Sequence, residues 1–70
     1  MDRLIIEDAR VRSVGYLSRK QELEITFVDG ETRLYMGVAP GVYLNMMQSD
    51  NVGDYFTQHL EYKFVFQKLK

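Results

Sequence analysis

The segment from Glu22 to Val38, ELEITFVDGETRLYMGV, decides the fold of this chain. From Leu23 to Phe27 an apolar residue occupies every second position, which is typical of a strand with one buried face. The pair Asp29-Gly30 follows at once. Such a pair favours a two-residue turn between antiparallel strands, because both turn residues must adopt positive φ. The segment therefore predicts a β-hairpin.

The second strand of this hairpin is expected from Glu31 to Val38, and its pattern sorts the side chains onto two faces. Arg33 and Tyr35 share one face, whereas Leu34 and Met36 share the other. The pattern alone does not say which of the two faces is buried.

Residues 10–17 predict a strand that precedes the hairpin, because β-forming side chains alternate there. The polar run from Ser18 to Gln21 then forms the connecting turn, so we expect a three-stranded antiparallel meander. Residues 1–9 mix apolar and charged side chains without a clear period. They predict either an edge strand or a partly ordered arm.

Two short helices are expected after the meander. Pro40 suits the first turn of a helix, where its missing N–H would be unpaired in any case. Apolar residues at helical spacing follow in two groups, which are Val42, Tyr43, Met46 and Met47, and then Tyr55, Phe56 and Leu60. Beyond Leu60 a period of two returns and predicts a final strand. The predicted fold is α+β, a small antiparallel meander of three strands, with this optional fourth, packed against two short helices.

The composition narrows the possible functions. The chain has 70 residues, a net charge of −1, no cysteine and one histidine, His59. These counts fit one domain without disulfides, and we expect no metal and no cofactor. We expect no enzyme either, because His59 has neither a nucleophile nor a second ligand beside it. No apolar run approaches the roughly 18 residues of a membrane span, and the lack of cysteine favours a cytoplasmic protein.

Several short motifs agree in order and spacing with one known family. They are Ser13-x-Gly15-Tyr16, Leu23-x-Ile25-x-Phe27-x-x-Gly30, Tyr35-x-x-Val38, Val42-Tyr43 and Gly53-x-Tyr55-Phe56. From about Val11 to Phe64 the chain resembles the KTSC domain, which is found at the C-terminal end of some lysyl-tRNA synthetases and in small bacterial and phage proteins. The resemblance implies a small binding module whose suggested ligand is RNA. The family has Tyr-x-Tyr on its third strand, where this chain has Arg33 and Tyr35.

The residues that we expect to bind a single-stranded nucleic acid are Arg10, Arg12, Tyr16, Arg33 and Tyr35. An exposed tyrosine ring and a guanidinium would stack on unpaired bases, and the other arginines would neutralise phosphates. The alternative is structural: Tyr35 packs in the core with its hydroxyl on a backbone carbonyl, and the arginines pair with neighbouring glutamates.

A protein–protein module is the second hypothesis. Tyr62, Phe64 and Phe66 would line one face of the final strand, and that strand would pair with another protein or with a second copy in a homodimer. The alternative for these three aromatic residues is that they complete the core.

Overall fold

All the strands of the chain join one antiparallel sheet, whose strand order follows the sequence. The computed structural model describes residues 3–70. Within them, the strands are β1 (Arg3–Ile5), β2 (Val11–Leu17), β3 (Glu22–Phe27), β4 (Thr32–Tyr35) and β5 (Phe66–Lys68). The helices, α1 (Pro40–Gln48) and α2 (Val52–His59), lie between β4 and β5. The α+β meander is confirmed, with five strands.

For the N-terminal segment, an edge strand and a partly ordered arm were the two alternatives. Residues 3–5 form the edge strand, which pairs with β2. Met1 and Asp2 lie outside the described residues.

Both helices pack against the same side of the sheet. Met46 of α1 and Phe56 of α2 join a buried cluster with Val14, Ile25 and Tyr35 of the strands. We call this side the covered face. The opposite side, the open face, carries the alternate strand residues, among them Glu24 and Leu34, which are paired with each other.

The strand register decides on which face each arginine lies. Arg33 pairs with Ile25, which in turn pairs with Val14, so Arg33 belongs to the covered face. Tyr35 lies two residues further along β4 and belongs there too. The hypothesis that placed Arg33 and Tyr35 on the side away from the helices is therefore wrong.

Helix α2 is held at its start by two side chains. Asn51 caps it by accepting a hydrogen bond from the N–H of Asp54 at 2.9 Å. Asp8 accepts a bond from the N–H of Gly53 at 3.1 Å, and it also accepts from Arg10 N–H at 2.8 Å and Val11 N–H at 2.9 Å. A side chain at Gly53 would overlap the Asp8 carboxylate, which explains a glycine at this helical position.

The C-terminal strand is shorter than the aromatic pattern predicts. The N–H groups of Leu60 and Glu61 both donate to the carbonyl of Phe56, and Lys63 N–H donates to Leu60. The chain therefore turns from residue 60 to residue 63, and β5 begins only at Phe66.

Candidate functional site

Glu61 lies at the centre of a charged cluster on the covered face. Arg10 donates two hydrogen bonds to its carboxylate, from Nη1 to Oε1 at 2.9 Å and from Nη2 to Oε2 at 2.5 Å. Arg33 Nη1 reaches Oε2 at 3.3 Å, and Arg33 Nε donates to Glu31 at 2.6 Å. Glu61 is only 5% exposed, so its charge depends on these partners.

Both guanidinium groups lie close to the same aromatic ring. The Cζ atom of Arg10 lies 5.0 Å from the ring centroid of Phe27, and that of Arg33 lies 4.9 Å from it. Arg33 also lies 4.6 Å from the ring of Phe66. These cation–π contacts occupy the guanidinium faces that base stacking would need.

Tyr35 is fully buried beside this cluster, at 0% exposure. Its hydroxyl donates to the backbone carbonyl of Glu61 at 3.2 Å and accepts from Arg33 Nη1 at 3.1 Å. Its ring meets that of Phe56 edge-on at 5.3 Å. The expectation that Tyr35 stacks on bases is therefore wrong, and the alternative of a core tyrosine bonded to a carbonyl is confirmed.

The cluster keeps its members charged. Hydrogen bonds from Arg10 hold the pKa of Glu61 below its ordinary value, although burial opposes them. Burial alone would lower the pKa of Arg33, but its bonds to Glu31 and Tyr35 raise it above the ordinary arginine value. Arg10, Arg33 and Tyr35, three of the five predicted nucleic-acid ligands, are thus brought together as internal structure.

Tyr16 is half-buried and lies apart from the cluster. Its hydroxyl donates to the carbonyl of Val38 at 2.6 Å, and its ring stacks on Tyr43 with the centroids 4.3 Å apart. Burial raises the pKa of the Tyr16 hydroxyl. One face of this ring is therefore already occupied by another aromatic side chain.

Arg12 is the predicted ligand that remains accessible. The register of β2 and β3 shifts between Val11 and Ser13, and Arg12 projects from this irregularity as an exposed side chain. Its Nη2 donates to the carbonyl of Val28 at 3.0 Å.

Arg12 borders a shallow concavity of about 450 Å³ on the open face. The side chains that define its chemistry are Arg3, Arg12, Lys70, Thr26, Thr32 and Glu24. Glu24 is paired with Arg3 at 2.6 Å, and the hydroxyls of the two threonines lie 3.2 Å apart. The cationic side chains therefore outnumber the carboxylate, which gives this concavity a positive charge.

Arg3 and Lys70 were not among the predicted ligands, because they lie at opposite ends of the chain. β1 and β5 are the two edges of the sheet, and only the register of the folded sheet places residues from both edges around one concavity on the open face. The alternation of Glu24 and Thr26 with apolar neighbours was the local signal that polar groups share that face.

The three aromatic residues predicted to line the C-terminal strand lie in different settings. Tyr62 is in the turn after α2 and is 87% exposed, Phe64 packs against the core, and Phe66 begins β5. The prediction that these three residues line one face of a single strand is therefore wrong. The alternative, that they complete the core, is confirmed for Phe64.

Other kinds of site find no support in residues 3–70. No three His, Cys, Asp or Glu side chains there come close enough together to hold a metal ion. His59 is exposed, and its ring lies 4.4 Å from that of Tyr55. In the same part of the chain, neither helix has the length and apolar character needed to cross a bilayer.

Comparisons with known proteins agree on one family. The KTSC domain profile matches residues 7–64. The crystal structure of the KTSC domain protein YPO2434 from Yersinia pestis superposes with a TM-score of 0.92 at 30% identity, covering 99% of this chain and 97% of that one. An uncharacterized protein of Stutzerimonas stutzeri (strain A1501) is 33% identical over 58 residues, which is 83% of this chain and 82% of the relative.

Proposed function

The chain belongs to the KTSC domain family, and we propose that it is a non-catalytic module that binds single-stranded nucleic acid, RNA in the first instance, on its open sheet face. The supporting observation is the concavity between Arg3, Arg12 and Lys70. The only side-chain carboxylate among the described lining residues, that of Glu24, is already paired with Arg3.

The chemistry of this concavity suits a phosphate backbone. Among residues 3–70, no carboxylate forms a salt bridge with Arg12 or Lys70, so both cations are available to neutralise phosphates. The hydroxyls of Thr26 and Thr32 bond to each other, which leaves one hydroxyl hydrogen to donate to a phosphate oxygen or to the sugar. None of the described lining residues carries an aromatic ring. Binding would therefore be weak, sensitive to salt and tolerant of base sequence.

The test measures the fluorescence anisotropy of a labelled single-stranded RNA at 50 and 200 mM salt. For two to three phosphate contacts, the affinity of the unmodified protein should fall about 7- to 20-fold over this range. Arg12→Ala should weaken binding about three- to fivefold and reduce the salt slope by about 0.7. The matched control is Arg19→Ala, which removes an exposed arginine in the β2–β3 turn and should leave both values unchanged.

The proposal fails if the RNA does not bind, or if Arg12→Ala and Arg19→Ala have equal effects. Arg33 and Tyr35 are unsuitable for this test, because their replacement disturbs the core itself. A cytoplasmic location is part of the proposal and is supported by the absence of cysteine.

A further inference from the structure

Within residues 3–70, one side of the backbone of strand β5 has no partner strand. Towards β4, the carbonyl of Val65 accepts a hydrogen bond at 2.9 Å and the N–H of Leu69 donates one at 2.8 Å. Inward and outward residues alternate along an antiparallel ladder. The backbone groups of Phe66 and Lys68 therefore point outward, and no backbone hydrogen bond from residues 3–70 reaches them there.

Apolar side chains border this outer edge on both faces of the sheet. Val65 is 73% exposed and Leu69 is 48% exposed, and by register both lie on the open face with Gln67. Phe66 is 37% exposed on the covered face. A strand added beside β5 would gain cross-strand contacts with these side chains as well as backbone hydrogen bonds.

The charge of the C-terminal segment favours one kind of strand. Residues 62–70 contain Lys63, Lys68 and Lys70 and no acidic residue, although the whole chain has a net charge of −1. Lysines on an edge strand keep like edges from pairing, since a second copy would bring its own lysines to the same place. The same lysines attract a strand that carries carboxylates.

From this edge and its charge we infer that β5 docks an extended acidic segment of another protein as a sixth, antiparallel strand. The register specifies the pattern of that segment. A carboxylate lies opposite Lys68, an apolar residue lies opposite Phe66, and a β-branched residue faces Val65. This site is separate from Arg12, although Leu69 and Lys70 line the concavity and also lie next to this edge.

The experiment uses the full chain and a fluorescein-labelled synthetic peptide, Glu-Val-Glu-Thr-Val-Val-Thr-Glu. A second peptide with lysine in place of each glutamate is the charge-reversed control. We expect saturable binding of the acidic peptide and at least about tenfold weaker binding of the control. Absence of saturable binding of the acidic peptide overturns the inference.

Two variants at one position separate the backbone from the side chain. Lys68→Pro removes an outward N–H that does not bond to β4, and it should weaken binding of the acidic peptide at least about tenfold. Lys68→Ala removes the charge but keeps the N–H, so a loss of about two- to fourfold is expected. Equal losses in the two variants overturn strand addition. Far-UV circular dichroism checks folding, and if Lys68→Pro unfolds, a peptide N-methylated at its β5-facing amides replaces it and must fail to bind.

Competing occupants give different results. Concentration-dependent dimers that Lys68→Pro abolishes would assign the edge to a second copy and overturn the inference. Displacement of the acidic peptide by a single-stranded RNA would do the same in favour of nucleic acid. Arg12→Ala should weaken only RNA binding, and Lys68→Pro should weaken only peptide binding. Failure of this inference is therefore distinguishable from failure of the proposed function.

Discussion

The two faces of the sheet use arginine for opposite purposes. On the covered face, Arg10 and Arg33 are fixed by Glu61, and both lie close to the ring of Phe27. On the open face, Arg12 is exposed, and within residues 3–70 its side chain bonds only to a backbone carbonyl. A cluster of arginines and aromatic residues in a sequence can therefore have a purely structural role. It indicates a ligand site only where no carboxylate of the same chain already pairs with the arginines.

Removing the carboxylate of Glu61 should have the largest effect. Glu61→Gln leaves two guanidinium groups beside a neutral amide, and breaking a buried ion pair in this way costs several kcal/mol. Because the Arg10 side chain is 38% exposed, we expect a smaller loss of unfolding free energy, about 2–3 kcal/mol. Urea denaturation measures it, and Glu7→Gln on an exposed glutamate is the control. A loss below about 0.5 kcal/mol would mean that the cluster is not structural.

Arginine-to-alanine exchanges on the two faces compare them directly. Arg33→Ala removes the stem and guanidinium packed on Phe27 and Phe66, so we expect an unfolding free energy lower by about 1–2 kcal/mol. Arg12→Ala should change it by less than about 0.5 kcal/mol, since its side chain is exposed. Both are measured by urea denaturation at neutral pH. Equal losses would remove the distinction between the faces.

The covered face should also make stability depend on acid pH. Glu61 and Asp8 both have pKa values below their ordinary ones in the folded chain: Arg10 lowers that of Glu61, and backbone N–H groups outweigh the opposing effect of burial at Asp8. Their contribution is complete above the unfolded values of about 4 and is lost as the pH falls through the lower folded values.

The urea midpoint is therefore expected to be flat from about pH 7 to 5 and to fall below about pH 4. In Glu61→Gln the fall should be shallower, because one of the two carboxylates no longer titrates. An unchanged slope in that variant would place the acid sensitivity elsewhere, whereas Arg12→Ala should retain the full slope.

Local sequence patterns predicted most of the elements and little of the site. Alternation from Leu23 to Phe27 and the turn at Gly30 identified the hairpin, because both signals arise within a few residues. Alternation also paired Arg33 with Tyr35 correctly, but it is symmetrical between the two faces. Which face the helices cover depends on contacts such as that of Tyr35 with Phe56, which no short segment encodes.

Long-range pairing explains the remaining differences. Arg10 and Glu61 are 51 residues apart, and nothing near either residue indicates the other. The alternation of Tyr62, Phe64 and Phe66 suggested a continuous strand, yet the end of α2 uses the first residues of that stretch for a turn. The alternating pattern favours a strand in this stretch, whereas the end of α2 favours a turn. The hydrogen bonds to the Phe56 carbonyl stabilise the turn.

The bonds made by Asp8 and Arg10 have a consequence for the order of folding. They join the approach to β2 with α2 and the turn after it, across 45 and 51 residues of chain. Contacts of such separation close the largest loops and form slowly, whereas the β2–β3–β4 hairpins close short ones. Strands β2, β3 and β4 should therefore assemble first, and the docking of α2 onto Asp8 and Arg10 should be a late event that completes the cooperative unit.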